Sequence, residues 1–144
     1  MIMLWHVYLR KGTVLVPTVA KTDAGFFIDV EPVAVVESTN RQEIISAIKA
    51  AIGRGNPIVA TPTRAEFPKP VVLKYANVKS WATFEKNAFC WTVKKNASAF
   101  ELHSPRMNVP KPWEEGPVKI ETFDTEAAID ILSCSIADQV RGTV

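Results

Sequence analysis

Residues 5–36, WHVYLRKGTVLVPTVAKTDAGFFIDVEPVAVV, decide the fold. From Trp5 to Arg10, and again from Thr13 to Val19, apolar and polar side chains alternate with the period of two that sends successive residues to opposite faces of a strand. Lys11-Gly12 separates the two runs. A two-residue break with glycine is hairpin chemistry, because glycine reaches positive φ without a Cβ clash. Thr22-Asp23-Ala24-Gly25 is a second turn, and Phe26 to Val36 is a third run, rich in aromatic and β-branched residues. The stretch predicts an antiparallel meander. Pro17 and Pro32 have no N–H to give a ladder, so each belongs on an edge, at a strand end or at a bulge. That leaves the sheet partly open, and open edges can pair with another chain. On its strand His6 shares a face with Tyr8 and Arg10, opposite Trp5, Val7 and Leu9. With no partner in sequence reach, it reads as an exposed or hydrogen-bonded histidine on a polar face.

Beyond the meander, Asn40 is an N-cap with Glu43 three residues on, and Ile44, Ile45, Ile48, Ala51 and Ile52 recur at helical spacing. The helix Asn40–Ile52 is stopped by Gly53, Gly55 and Pro57. The sequence GRGNP at 53–57 lacks the Lys-Ser/Thr of a phosphate loop. Ile58 to Ala60 reads as a short strand. A proline-stiffened loop follows, with Arg64 and Phe67 as its candidate contacts and a covering role with Phe67 in the core as the plainer reading. Val71 to Tyr75 reads as a strand. Val78, Trp81, Ala82 and Phe84 suggest a short helix whose aromatic pair anchors it on the sheet. Phe89–Lys94 and Ala99–His103 alternate around Lys95–Ser98, a second hairpin. The irregular stretch SPRMNVPKPWEEGP at 104–117 leads to a last strand, Val118–Phe123. Asp124 then caps a helix, Thr125–Arg141, with a buried stripe of Ala128, Ile129, Leu132, Ile136 and Val140 and a stop at Gly142. These elements predict one α+β domain over residues 1–144: a mainly antiparallel sheet of about eight strands with about three helices, the two longer ones packed on one face.

With 144 residues, 47% of them apolar, the chain can build one real core. No apolar run is long enough to cross a bilayer, and no basic leader precedes Met1–Leu4, so a soluble cytoplasmic protein without a membrane partner is expected. Cys90 and Cys134 stand apart without a CxxC or Cys/His cluster and are expected as free thiols. The net charge of +2 is unevenly spread. Between Thr61 and Pro112 nine lysines and arginines face three glutamates, whereas from Trp113 onward seven acids face two bases. The two segments can neutralise each other or present oppositely charged surfaces to a partner.

No metal or cofactor motif is present: there is no HxxxH, HExxH or calcium loop, and no GxSxG elbow for a serine nucleophile. Metal and cofactor are therefore both expected to be none. The sharpest catalytic arrangement is a pair of histidines, His6 and His103, with Lys11 or Lys94 to hold an anion, the acid and base of an RNA-cleaving site. A second alternative is a basic nucleic-acid-binding accessory protein, because lysines from Lys69 to Lys95 interleave with Phe67, Tyr75, Trp81 and Trp91. No RNP, KH or zinc-finger pattern supports it, and nucleic acid is not the expected partner.

Size, the absence of a catalytic set and the acidic segment from Glu114-Glu115 through Asp138 give a profile that resembles the immunity proteins of bacterial polymorphic toxin and contact-dependent inhibition systems. The resemblance implies a cytoplasmic, non-enzymatic protein that binds and neutralises one cognate toxin domain. Its net charge of +2 differs from the acidic balance such inhibitors often carry, so no particular toxin activity is implied. The expected contact surface is Trp113, Glu114 and Glu115, helped by Asp124 and Glu126. Trp113 serves as the aromatic anchor and the acids as steering charges. Nothing in the sequence sets an oligomeric state.

Overall fold

The hairpin at Lys11-Gly12 forms as the alternation requires. In the computed structural model, which describes residues 2–63, 69–97, 99–105, 117–124 and 128–143, β1 (Met3–Arg10) and β2 (Thr13–Thr22) are antiparallel. Lys11 and Gly12 both take positive φ, 48° and 79°, the geometry of a type I′ turn whose twist suits the flanking strands. β3 (Phe27–Glu37) completes the meander. Its register changes between Pro17 and Thr18, where Pro17 pairs with Val33 and Thr18 with Val30. Glu31 and Pro32 are thus extra residues on β3, which is an edge strand, and both prolines sit where a missing N–H costs least.

The remaining strands are β4 (Ile58–Val59), β5 (Ala88–Lys95), β6 (Ala99–Pro105) and β7 (Pro117–Asp124). The sheet order is β3-β2-β1-β5-β6-β7, antiparallel throughout, with the stub β4 parallel to the end of β2. β1 is central and unequally shared. It pairs with β5 along its whole length, Met3 with Lys95 through Arg10 with Ala88, but with β2 only from Tyr8 to Arg10. Where β1 and β2 part, the side chain of Asn56 fills the gap. Its Nδ2 donates to the carbonyls of Leu4 (2.8 Å) and Val19 (2.9 Å), and its Oδ1 accepts from the Leu4 N–H (3.0 Å).

One face of the sheet carries the two long helices, α1 (Arg41–Arg54) and α4 (Ala128–Thr143). Asn40 caps α1 by accepting from the Glu43 N–H, and Gly55, at φ 67°, ends it. Ile44 and Ile48 of α1 and Leu132 and Ile136 of α4 bury against Trp5, Val7, Trp91 and Leu102. Arg41 bonds Asp138 (2.8 Å) and Lys49 pairs with Asp130, so two acids of the C-terminal segment are neutralised by α1 and not by the basic middle.

The second face is covered by two short helices, and one of them corrects the sequence reading. Val71–Tyr75, expected as a strand, is instead helix α2 (Val72–Ala76), and α3 (Trp81–Glu85) follows it. Val72 and Leu73 are adjacent and both buried, which a strand facing one core would not allow. Asn77 in the left-handed region closes the turn. The described residues therefore hold seven strands and four helices. α2 and α3 bury Leu73 and Phe84 against Tyr8 and Leu15. Trp81 stacks on Phe84 at 5.2 Å, as the expected anchor pair. For the C-terminal helix, the described residues begin at Ala128, and the turn expected to be capped by Asp124 falls at 125–127, outside them. No described helix is long and apolar enough to cross a membrane.

Candidate functional site

His6 faces the side of the sheet that carries α2 and α3, and the meander supplies the partner that its own neighbourhood lacks. Asp29 of β3 stands across β2, with Oδ1 2.8 Å from His6 Nδ1, and Tyr8 donates its hydroxyl to Asp29 Oδ2 at 2.6 Å. The sequence reading gave His6 no partner; the partner lies 23 residues away, delivered by the second turn. The Asp29 side chain is 9% exposed, that of His6 23%. They sit at one side of a cavity of about 270 Å3 whose aromatic wall is Phe26, Phe27 and Trp81, with Lys69 also lining it.

Cys90 lies next to this group on β5, packed against the second core. Its thiol is pushed up to about 12, chiefly by desolvation, with the Asp29 charge adding to the effect. Desolvation first, then Cys90 and Asp29, hold the Tyr8 hydroxyl well above its usual range. Both groups therefore keep their protons in the fold to higher pH than in the unfolded chain, where they ionise near about 8.5 and about 10. Above about pH 8.5 the unfolded state binds fewer protons than the folded one, so stability falls as pH rises. Urea midpoints are expected to decline from pH 8 to pH 10.5, and Cys90→Ala to flatten the first part of that decline. A midpoint constant across this range would contradict the desolvated environment. Both cysteines are free, and Cys134 lies on α4, on the opposite side of the sheet.

The register puts His6, Thr92 and His103 in one cross-strand row on one face, on β1, β5 and β6. The two histidines are nevertheless not brought into one catalytic pair. They are two strands apart, roughly 10 Å between backbones, and each is held by its own carboxylate, His6 by Asp29 and His103 by Glu101 at 3.1 Å.

Of the expected contact residues, Trp113, Glu114, Glu115 and Glu126 lie outside the described residues. Asp124 is exposed at the end of β7. β7 and β3 are the two edge strands, each with an exposed branched side chain, Ile120 and Val35. Between β7 and α4 runs an open groove lined by Lys119, Asp130, Ile131 and Asp138. The basic middle segment is divided. Lys69, Lys74, Lys79 and Lys86 lie around α2 and α3, whereas Lys94 and Lys95 are at the far end of β5, about 25 Å along the strand from its start. Lys74 is bonded to Glu31 at 2.7 Å. Asp29, Tyr8 and Trp81 were not legible as a site; the one signal was a charged residue inside an otherwise apolar run, FFIDV.

No family model and no curated protein matches the sequence. The fold has counterparts among solved structures. A protein of unknown function from Neisseria meningitidis superposes with a TM-score of 0.60 at 8% identity, over 95% of this chain and 93% of that one. A chain of the CdiA-CT/CdiI toxin and immunity complex from Yersinia pseudotuberculosis superposes with a TM-score of 0.57 at 10% identity, over 97% of each chain. At such identities the likeness is one of fold. It extends nearly end to end, and the resemblance to immunity proteins noted from size and profile is matched by a solved structure from a toxin and immunity system.

Proposed function

We propose that this chain is a cytoplasmic immunity protein that binds one cognate toxin domain and blocks it, and that it is a binding protein and not an enzyme. The observation that carries the reading is the full-length fold likeness to a chain of a toxin and immunity complex. The separation of His6 from His103 supports it, since the alternative catalytic pair is not assembled. We assign the contact surface to Trp113, Glu114 and Glu115 together with Asp124 and Glu126. Acids concentrated there steer a basic toxin surface, and an aromatic among prolines loses little entropy on docking.

The test is capture and rescue. The C-terminal domain of a large secreted protein encoded next to this chain is expressed with and without it; growth restored only by co-expression, with a stable complex on gel filtration, is the expected outcome. Failure to capture or to protect against that domain would count against the reading. Replacing Glu114 and Glu115 with glutamine is expected to slow association and flatten its salt dependence, and Trp113→Ala to weaken the complex by about 2 kcal/mol or more. Association equally fast in low and high salt would remove the acidic segment from the surface.

A further inference from the structure

We propose that the corner of the sheet at Arg10, with Lys11 and Lys86 beside it, binds a phosphate monoester. Arg10 ends β1, pairs with Thr13 of β2 and Ala88 of β5, and shares a face with Tyr8, the face that carries α2 and α3. The residue is partly exposed, yet its Nε is buried and has no hydrogen-bond partner. A guanidinium cannot shed its charge, so losing a proton does not relieve the orphaned donor. What answers a half-buried, permanent cation is an anion. Four other cations find one within the fold: Arg41 pairs with Asp138, Lys49 with Asp130, Lys74 with Glu31 and Lys119 with Glu121. Arg10, Lys11 and Lys86 have no acidic partner among the described residues.

The backbone brings the three together. Lys11 follows Arg10 in the hairpin turn, and Lys86 stands two residues before Ala88, the residue opposite Arg10. Both lysines are exposed. The acids close in register and in sequence do not cancel them. Glu37 is at the far end of the row Glu37–Thr13–Arg10, two strands away and roughly 10 Å between backbones. Glu85 directly precedes Lys86, and successive residues at a helix end do not face each other. Charge and shape then choose the anion. A carboxylate matches only one of three cations, whereas a phosphate monoester carries about 1.5–2 negative charges and three acceptor oxygens to share between a guanidinium fork and two ammonium groups. The Thr13 side chain, on the same face opposite Arg10, adds a neutral hydroxyl donor. With Nε shut in, the arginine is already held, so little freedom is lost on binding. The corner uses other residues than the acidic surface assigned above, and the proposal stands without the immunity reading. A small phosphorylated compound and the terminal phosphate of a nucleic acid share this chemistry.

The test titrates the isotopically labelled chain with methyl phosphate, acetate and sodium chloride at matched ionic strength, reading the Arg10 Nε–H signal and the backbone amides of Lys11 and Lys86. Methyl phosphate is expected to bind at millimolar concentration or better, about fivefold or more tightly than acetate, and to strengthen from about pH 5 to about pH 7 as its second proton leaves. Arg10→Gln is expected to weaken it about tenfold or more. Lys11→Gln combined with Lys86→Gln is expected to weaken it about threefold or more; both positions are exposed, which guards against an Arg10 variant that fails to fold. Signals that move no further with methyl phosphate than with chloride, equal binding of acetate, or an affinity unchanged in the double lysine variant would overturn the proposal. Repeating the titration with thymidine 5′-monophosphate and a 5′-phosphorylated oligothymidylate separates the sources. An oligomer that binds about tenfold or more tightly than the monomer identifies a nucleic-acid end, and a smaller ratio identifies a small phosphorylated compound.

Discussion

Trp91→Ala is expected to lower the unfolding free energy by about 3–5 kcal/mol, the range for removing a fully buried large aromatic. Trp91 is on β5, 0% exposed, at the centre of the face covered by α1 and α4. Its indole N–H donates to Gln139 Oε1 at 2.9 Å, and Gln139 in turn donates to Ser135 Oγ at 3.1 Å, so the ring pins α4 to the sheet by a polar bond as well as by area. Trp91→Phe is expected to cost less, about 1–3 kcal/mol, because much of the apolar ring area remains while the indole bond to Gln139 is lost. Urea unfolding with an unchanged denaturant slope measures both losses. A loss under about 1 kcal/mol for Trp91→Ala would place α4 elsewhere.

The second large effect belongs to a polar side chain. Asn56→Ala is expected to cost about 3 kcal/mol, because it strips partners from the N–H and C=O of Leu4 and the C=O of Val19, at about 1 kcal/mol or more for each orphaned group. Asn56→Asp is the sharper comparison. It keeps an acceptor for the Leu4 N–H but sets a carboxylate oxygen against two carbonyls, so it is expected to be at least as damaging near neutral pH. If aspartate is tolerated better than alanine, the gap between β1 and β2 is held by something other than this amide.

The meander and both long helices were legible because each rests on local rules that agree: alternation with a Lys-Gly turn at 11–12, and an Asn40 cap ahead of an apolar stripe. Val71–Tyr75 misled because five residues, VVLKY, are too few to show a period, and the helix is seen only with Val72 and Leu73 both packed in the cluster of Tyr8 and Leu15. The His6–Asp29 pair was out of reach for a different reason. Without the two extra residues at Glu31-Pro32, the register of Pro17 with Val33 would place Glu31 opposite Val19; with them, Asp29 takes that place. A bulge of this kind is set by tertiary pairing, and its effect on side-chain partners cannot be read from spacing.

The unequal sharing of β1 has a consequence for synthesis. The strand made first waits for residues 88–95 to pair along its full length, and α1 waits for residues 128–143 to bury its apolar side. At about 5–20 residues per second, a growing chain spends several seconds with Trp5 and Val7 on strands that have no complete cover. The topology is thus rich in non-local contacts and slow to close. A chain truncated before Ala128 retains the sheet-forming segments but lacks half of the cover for their apolar face, and it is expected in cells as a substrate for proteases and chaperones, with no partial activity of its own.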